Sequence, residues 1–304
     1  MTSSISRRSA VKKLAGATAV LSVASAISER VAAAAAGGAK LKGNIHHSVS
    51  AWCCGSLFNP GKNNQPAKMT FEDFCRECAK LGLESVELLG ASEWPAAKKA
   101  GLTCAMCNGP DRIDYGWNRV EHHDDLVKKF EKAIPEVAEA GYPNIITFSG
   151  NRRGMSDEQG LENCVTGLKR IVGVAEKHQV NVILELLNSK VNHKDCMADR
   201  TTWGVEVCKR VGSERLKLLY DIYHMQIMEG DLIRSIKDYH ACIGHYHTGG
   251  NPGRNEIDNS QEIYYPAVMK AIVATGYKGF VGQEFVPTHD PLTSLKEAVQ
   301  ICDV

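Results

Sequence analysis

Four ionisable residues in the second half of the chain each stand at the end of a short apolar run. Val182-Ile183-Leu184 leads into Glu185, Leu218-Leu219-Tyr220 into Asp221, Ile243-Gly244-His245-Tyr246 into His247, and Val281-Gly282-Gln283 into Glu284. The intervals are 36, 26 and 37 residues, each about the length of one strand plus one helix. Three carboxylates gathered in a low-dielectric site would repel one another or take up protons. A divalent cation removes that cost. Three carboxylates with one imidazole leave coordination positions open and favour Mn²⁺ or Mg²⁺ over structural zinc, which prefers Cys and His. A single acid at a strand end is more often a helix N-cap or an ion-pair partner; four in the same register on successive strands are the signal.

A cation held there suits the isomerisation of a small hydroxycarbonyl compound. Such a reaction takes a proton from the carbon beside a carbonyl and returns it to the neighbouring carbon or to the opposite face. A metal stabilises the enediolate charge, and two flanking carboxylates move the proton. Glu185 and Glu284 are the expected pair, serving both as ligands and as catalytic groups. His224, three residues after Asp221, is placed to donate a hydrogen bond to a substrate oxygen. Arg254, in a loop with Gly249, Gly250 and Gly253, is placed to close over an anionic or hydroxyl-rich substrate. Glu87 is a further candidate substrate contact. Trp52, Trp94 and Trp117 are candidates for pocket walls, although core packing is their commoner use.

The elements that must position these residues follow from the alternation of short β-branched runs with longer amphipathic ones. Strands are predicted over 44–52, 85–89, 103–107, 144–148, 181–186, 217–221, 243–247 and 279–284. Helices are predicted over 125–140, 157–177, 201–211, 231–239, 266–275 and 291–302. Eight strands alternating with helices predict a single-domain (β/α)8 barrel, an α/β fold of TIM type, spanning 41–304. Barrels carry their active sites at the C-terminal ends of the strands, where the four residues stand. A doubly wound open sheet would normally show a glycine-rich turn after its first strand, and only Gly55 stands there.

The 304-residue chain is 43% hydrophobic and 23% charged with a formal charge of +1, which leaves no basic excess for nucleic acid. Residues 1–36 differ in composition. Arg7 and Arg8 precede an apolar run over 14–27 and a small-residue stretch over 31–36, the pattern of an export signal of twin-arginine type, with Ala10 where a bulky aromatic is preferred. The alternatives are an ordinary secretory signal or an uncleaved anchor. With export, the mature protein is expected in the periplasm and the export machinery is a partner; without it, the protein stays in the cytoplasm. The eleven cysteines include two CxxC pairs, Cys75/Cys78 and Cys104/Cys107. Helical periodicity around the first and a strand at the second, which would point Cys104 and Cys107 to opposite faces, argue for buried thiols over a metal site.

The runs Leu184-Glu185-Leu186-Leu187-Asn188, Tyr220-Asp221-Ile222-Tyr223-His224, Gly244-His245-Tyr246-His247, Pro252-Gly253-Arg254 and Gln283-Glu284-Phe285 resemble the xylose isomerase-like superfamily of sugar isomerases and epimerases, and within it the hydroxypyruvate isomerase-like proteins. The resemblance implies that Glu185, Asp221, His247 and Glu284 bind the metal and that His224 and Arg254 contact substrate oxygens. Hydroxypyruvate isomerases often carry Gln in the place of His247, and a His there is more like the ketose epimerases. Leu186 stands where Pro is usual and Asn255 where His is common. A ketose 3-epimerase on the same site is therefore the alternative reading. An endonuclease IV-type phosphodiesterase would need further metal ligands near 103–107, where the chain has Cys104-Ala105-Met106-Cys107-Asn108. A non-catalytic exported barrel that binds sugar or metal is the alternative of another class.

Overall fold

The computed structural model describes residues 40–61 and 65–304; the expected export signal over 1–36 lies outside them. Seven strands form one parallel sheet: β1 (His46–Ser50), β2 (Ser85–Glu87), β3 (Asn144–Thr147), β4 (Asn181–Glu185), β5 (Leu216–Asp221), β6 (Ile243–Thr248) and β7 (Phe280–Gln283). Their order across the sheet is β2-β1-β7-β6-β5-β4-β3.

The two edges of that sheet are joined by residues 103–108, and here the structure corrects the sequence. The predicted third strand is not a continuous strand. Thr103 bridges Ser85, and Cys107 bridges both Leu89 and Ile145. The reason is local. Between those points the Ala105 N–H donates to Ser85 Oγ at 2.9 Å, and its carbonyl accepts from Asn144 Nδ2 at 2.7 Å. Side chains thus take the bonds that a ladder would use. The seven strands and this irregular stave make a curled, TIM-barrel-like single domain.

The irregular course also overturns the expected facing of Cys104 and Cys107. Their Sγ atoms lie 3.7 Å apart, because the segment is not extended. All eleven cysteines are free thiols, and burial pushes several of them, such as Cys75 and Cys302, up to about 12.

The helices pack outside the sheet. They are α1 (Gly55–Phe58), α2 (Phe71–Lys80), α3 (Trp94–Lys99), α4 (His123–Ala140), α5 (Asp157–His178), α6 (Thr201–Val211), α7 (Ile222–Met228), α8 (Leu232–Tyr239), α9 (Tyr265–Ala274) and α10 (Pro291–Cys302). Their ends follow from side-chain chemistry. Thr70 and Asp73 form a capping box at α2, Ser156 caps α5, and Asp290 caps α10 with Pro291 in its first turn, each satisfying orphan N–H groups. Gly141 ends α4 in the left-handed conformation that glycine adopts without strain. Helix α7 is not among the helices predicted from periodicity. It begins directly at the end of β5, where Asp221 serves as its N-cap: Oδ1 accepts from the His224 N–H at 3.0 Å.

Candidate metal centre and cavity

The sheet register sets the four predicted ligands side by side. In the parallel ladders Glu185 is opposite Leu219, and Asp221 is opposite His247. His247 is opposite Gly282, and Glu284 follows β7 with its N–H donating to the Thr248 carbonyl at 3.1 Å. One ligand-type atom from each of Glu185, Asp221, His247 and Glu284 lies within 4.8 Å of the others, and all four residues are buried.

Each side chain is held differently. Glu185 accepts no hydrogen bond among the described residues. Burial and the neighbouring Glu284 charge push its carboxyl up to about 8. Burial likewise lifts Asp221 to about 6, against the pull of Arg254. Burial also opposes the ionisation of Glu284, but His247 and Arg254 outweigh it and hold this carboxyl well below the usual range. Its Oε1 accepts from Trp52 Nε1 at 2.9 Å and its Oε2 from Arg254 Nη2 at 2.6 Å. The same guanidinium nitrogen also reaches Asp221 Oδ2 at 3.2 Å, so that Arg254 pairs with two of the three carboxylates.

His247 is oriented from behind. Its Nε2 lies 2.6 Å from Glu87 Oε1, and His245 Nε2 lies 3.0 Å from the same oxygen. Glu87 Oε2 accepts from Ser48 Oγ at 2.6 Å. A carboxylate partner fixes a proton on Nε2 and leaves Nδ1 as the atom that could meet a cation. Without one, burial is outweighed by Glu284 and Glu87, which raise this His well above its ordinary pKa, so that Nδ1 is protonated too. That buried Nδ1 lies 2.7 Å from Glu284 Oε2. A divalent cation taking the place of that Nδ1 proton would be met by the imidazole and the Glu284 carboxylate, with two further buried carboxylates beside them. The chemistry of the donor set therefore suits a divalent metal.

Glu87 does not reach the cavity. It is fully buried behind His247, so its geometry is that of a support for the imidazole and not of a substrate contact. Gly282 makes this possible: a Cβ there would collide with Glu87 Oε1 and lie 2.9 Å from His247 Cδ2.

His224 is also buried, and its state can be deduced. Asn188 Oδ1 accepts from the N–H groups of Val191 and Asn192, at 3.0 and 2.9 Å, so the amide nitrogen must face the imidazole. It lies 2.5 Å from Nδ1. Nδ1 is thus the acceptor and Nε2 carries the proton. Burial and Arg254 hold this His well below its ordinary pKa, so it is neutral. Its Nε2 has no hydrogen-bond partner and lies 3.6 Å from Asp221 Oδ2.

Arg254 lies over the ring of Trp52 at 5.4 Å and that of Tyr223 at 5.6 Å, within the range of a cation–π contact. Beside this cluster opens a cavity of about 530 Å³ whose walls include Glu185, Glu284, Arg254, Trp52 and His193. Of the three tryptophans singled out in the sequence, only Trp52 lines it. Trp94 packs edge-on against Tyr142, and Trp117 is fully buried against Phe130. Sequence reasoning passed over Asn188, His193, His245 and Asp111. For Asn188 the available signal was its place three residues after Glu185, and for His245 its His-x-His spacing with His247; nothing in the sequence marks His193 or Asp111.

The family described as the xylose isomerase-like TIM barrel matches residues 75–303, and the chain belongs to that family. A human protein provisionally named hydroxypyruvate isomerase is 26% identical over 240 residues, covering 72% of this chain and 85% of that one. The hydroxypyruvate isomerase of Escherichia coli K12 is 34% identical over 137 residues, 44% of this chain and 51% of that one. Among solved structures, the 3-keto-D-glucoside 4-epimerase of E. coli superposes with a TM-score of 0.67 at 20% identity, covering 86% of this chain and 98% of that one; this likeness concerns the fold.

Proposed function

We propose that the protein is a divalent-metal-dependent isomerase of a small hydroxycarbonyl compound, of the hydroxypyruvate isomerase type. The observation that carries this reading is the convergence of Glu185, Asp221, His247 and Glu284 beside the cavity. Names of the relatives support the isomerase class. Mn²⁺ or Mg²⁺ would be held by these four residues and would supply charge stabilisation to the developing enediolate.

The remaining work falls to the chain's own groups. Glu185, free of hydrogen bonds and on the cavity wall, takes the proton from the carbon beside the carbonyl. On the opposite face Glu284, whose carboxylate is oriented by Trp52 and Arg254, takes up a solvent proton and delivers it to carbon, while Glu185 gives its own proton to solvent. His224 donates through Nε2 to a substrate oxygen, its tautomer set by Asn188. Arg254 neutralises the ligand carboxylates and contacts substrate oxygens as the cavity fills.

A ketose 3-epimerase would use the same residues. The cavity, about 530 Å³, has room for either substrate. A binding protein without catalysis is separated from both by proton exchange. Metal-loaded protein is expected to wash deuterium from D₂O into hydroxypyruvate or into a ketose. Glu185→Gln and Glu284→Gln are each expected to lower exchange by about 10²–10⁴. Undiminished exchange in both variants would remove the proposed pair; absence of exchange across C3 to C6 hydroxycarbonyl compounds would remove the isomerase.

Export belongs to the proposal as well, resting on Arg7, Arg8 and the apolar run over 14–27. Replacing both arginines by lysine is expected to keep the protein in the cytoplasmic fraction; unchanged fractionation would refute a twin-arginine signal.

A further inference from the structure

The cavity has a second polar end that the proton transfer does not use. Asp111 lines the same cavity as Glu185 and Glu284 and is only 8% exposed. Its Oδ2 accepts from the Phe148 N–H at 2.8 Å and from Thr147 Oγ1 at 2.6 Å. The direction of the second bond is fixed by chemistry. Trp117 Nε1 donates to Thr147 Oγ1 at 2.7 Å, and an indole can only donate, so the Thr147 proton goes to Asp111. The other oxygen, Oδ1, is buried with no partner among the described residues.

One neighbour suits an incoming ligand. Asn108 commits its Nδ2 to the Leu88 carbonyl at 3.0 Å and keeps its own oxygen uncommitted. At Gly109 a Cβ would lie 2.8 Å from Asp111 Oδ1 and would collide with the Ile146 carbonyl, so glycine lets the chain pass close to β3 beside this carboxyl. Leu88, Ile113, Ile146 and Phe148 contribute apolar wall to the same cavity.

We propose that Asp111 and Asn108 form a distal subsite that binds a hydroxyl group on the remote part of a neutral, polyhydroxylated hydroxycarbonyl substrate, a ketose of five or six carbons or a close derivative. This rests on the isomerase reading and goes further by naming the substrate class. Two acceptor oxygens call for O–H donors, and a hydroxyl placed there satisfies an oxygen that is otherwise buried and unmatched. Burial lifts the Asp111 carboxyl to about 7 against its two hydrogen bonds, so near neutrality Oδ1 can also donate. An acid with its carboxylate at this end would face like charge whenever Asp111 is ionised. A three-carbon compound held at the metal centre would leave the far end to water.

The test uses the full-length, Mn²⁺-supplemented protein and its Asp111→Ala and Asp111→Asn variants. Deuterium exchange and calorimetric binding are measured for hydroxypyruvate, D-xylulose, D-fructose and D-psicose, and for D-fructose lacking one hydroxyl at carbon 4, 5 or 6. Asp111→Ala is expected to lower the preference for ketose over hydroxypyruvate at least tenfold, mainly through KM. Removing the matching hydroxyl is expected to cost wild type the same factor and to cost Asp111→Ala nothing more, the mark of a direct pair. Should Asp111→Ala fail to fold, Asp111→Asn and the deoxygenated ligands on wild type carry the comparison. An unchanged preference, equal losses on both substrate classes, or no ketose binding at all would overturn the subsite. Exchange into hydroxypyruvate without ketose binding would overturn it and leave the isomerase standing. Asp111-dependent ketose binding without any exchange would do the reverse.

Discussion

The barrel has two unlike halves. From β4 to β7 the ladders run to the strand ends, and each end delivers one ionisable side chain to a common centre. From β1 through 103–108 to β3 the pairing thins to a three-residue strand and isolated bridges, with Ser85 and Asn144 side chains standing in for ladder bonds. The regular half places groups whose spacing must hold to fractions of an ångström if they are to share one cation. The irregular half supplies cavity wall, including Trp52, Asn108 and Asp111, and touches the ligands only through side chains, Glu87 behind His247 and Trp52 on Glu284. The charge pattern differs in the same sense. Arg254 and His247 balance the carboxylates of the centre, whereas Asp111 is held by a hydroxyl and an N–H alone.

The comparison can be broken most forcefully through the cation. Mn²⁺ at a hundredfold excess over its Kd is expected to stabilise the fold by about 2.7 kcal/mol, roughly 5 °C or more in Tm, in wild type but not in His247→Ala. Equal stabilisation of the two, followed by differential scanning calorimetry, would place the cation elsewhere. A smaller effect is expected from Gly282→Val, which drives a side chain into Glu87 and His247. Mn²⁺ affinity by titration calorimetry should fall about 10–100-fold. If it holds, the Glu87 contact is not what orients the imidazole.

Asn188→Ala should lower kcat/KM for exchange about tenfold, because His224 loses the partner that sets its tautomer, at a net cost of about 1–1.5 kcal/mol. The Mn²⁺-induced rise in Tm should be retained, and its loss would mean that Asn188 merely supports the fold of the centre. The smallest effect on the metal centre belongs to the irregular half. Ser85→Ala orphans the Ala105 N–H and should cost about 1–3 kcal/mol in urea unfolding, with Mn²⁺ affinity changed less than twofold. A loss of affinity as large as that of Gly282→Val would erase the distinction between the halves.

Most of the regular half was legible in the residues themselves. A strand with apolar neighbours on both faces announces itself by composition, and a charged residue at its end stands out because burial without a partner is costly. Hence β4 to β7 and their four polar ends could be read along the chain. Thr103 to Cys107 misled because their β-branched and apolar character is that of a strand. What competes with the ladder there is Ser85 and Asn144, which are remote in sequence. Helix α7 escaped periodicity because its seven residues are too few to show a repeat.

The amino-acid sequence by itself determined the barrel class and the identity of the four convergent residues, since local composition and spacing encode both. Tertiary structure alone decided that Glu87 backs His247, that Asn188 sets the state of His224, and that Asp111 faces the same cavity as Glu185. The physical reason is that hydrogen bonds and buried charges are settled between atoms brought together by folding from positions 36 to 160 residues apart, and no local pattern records which partner each will find.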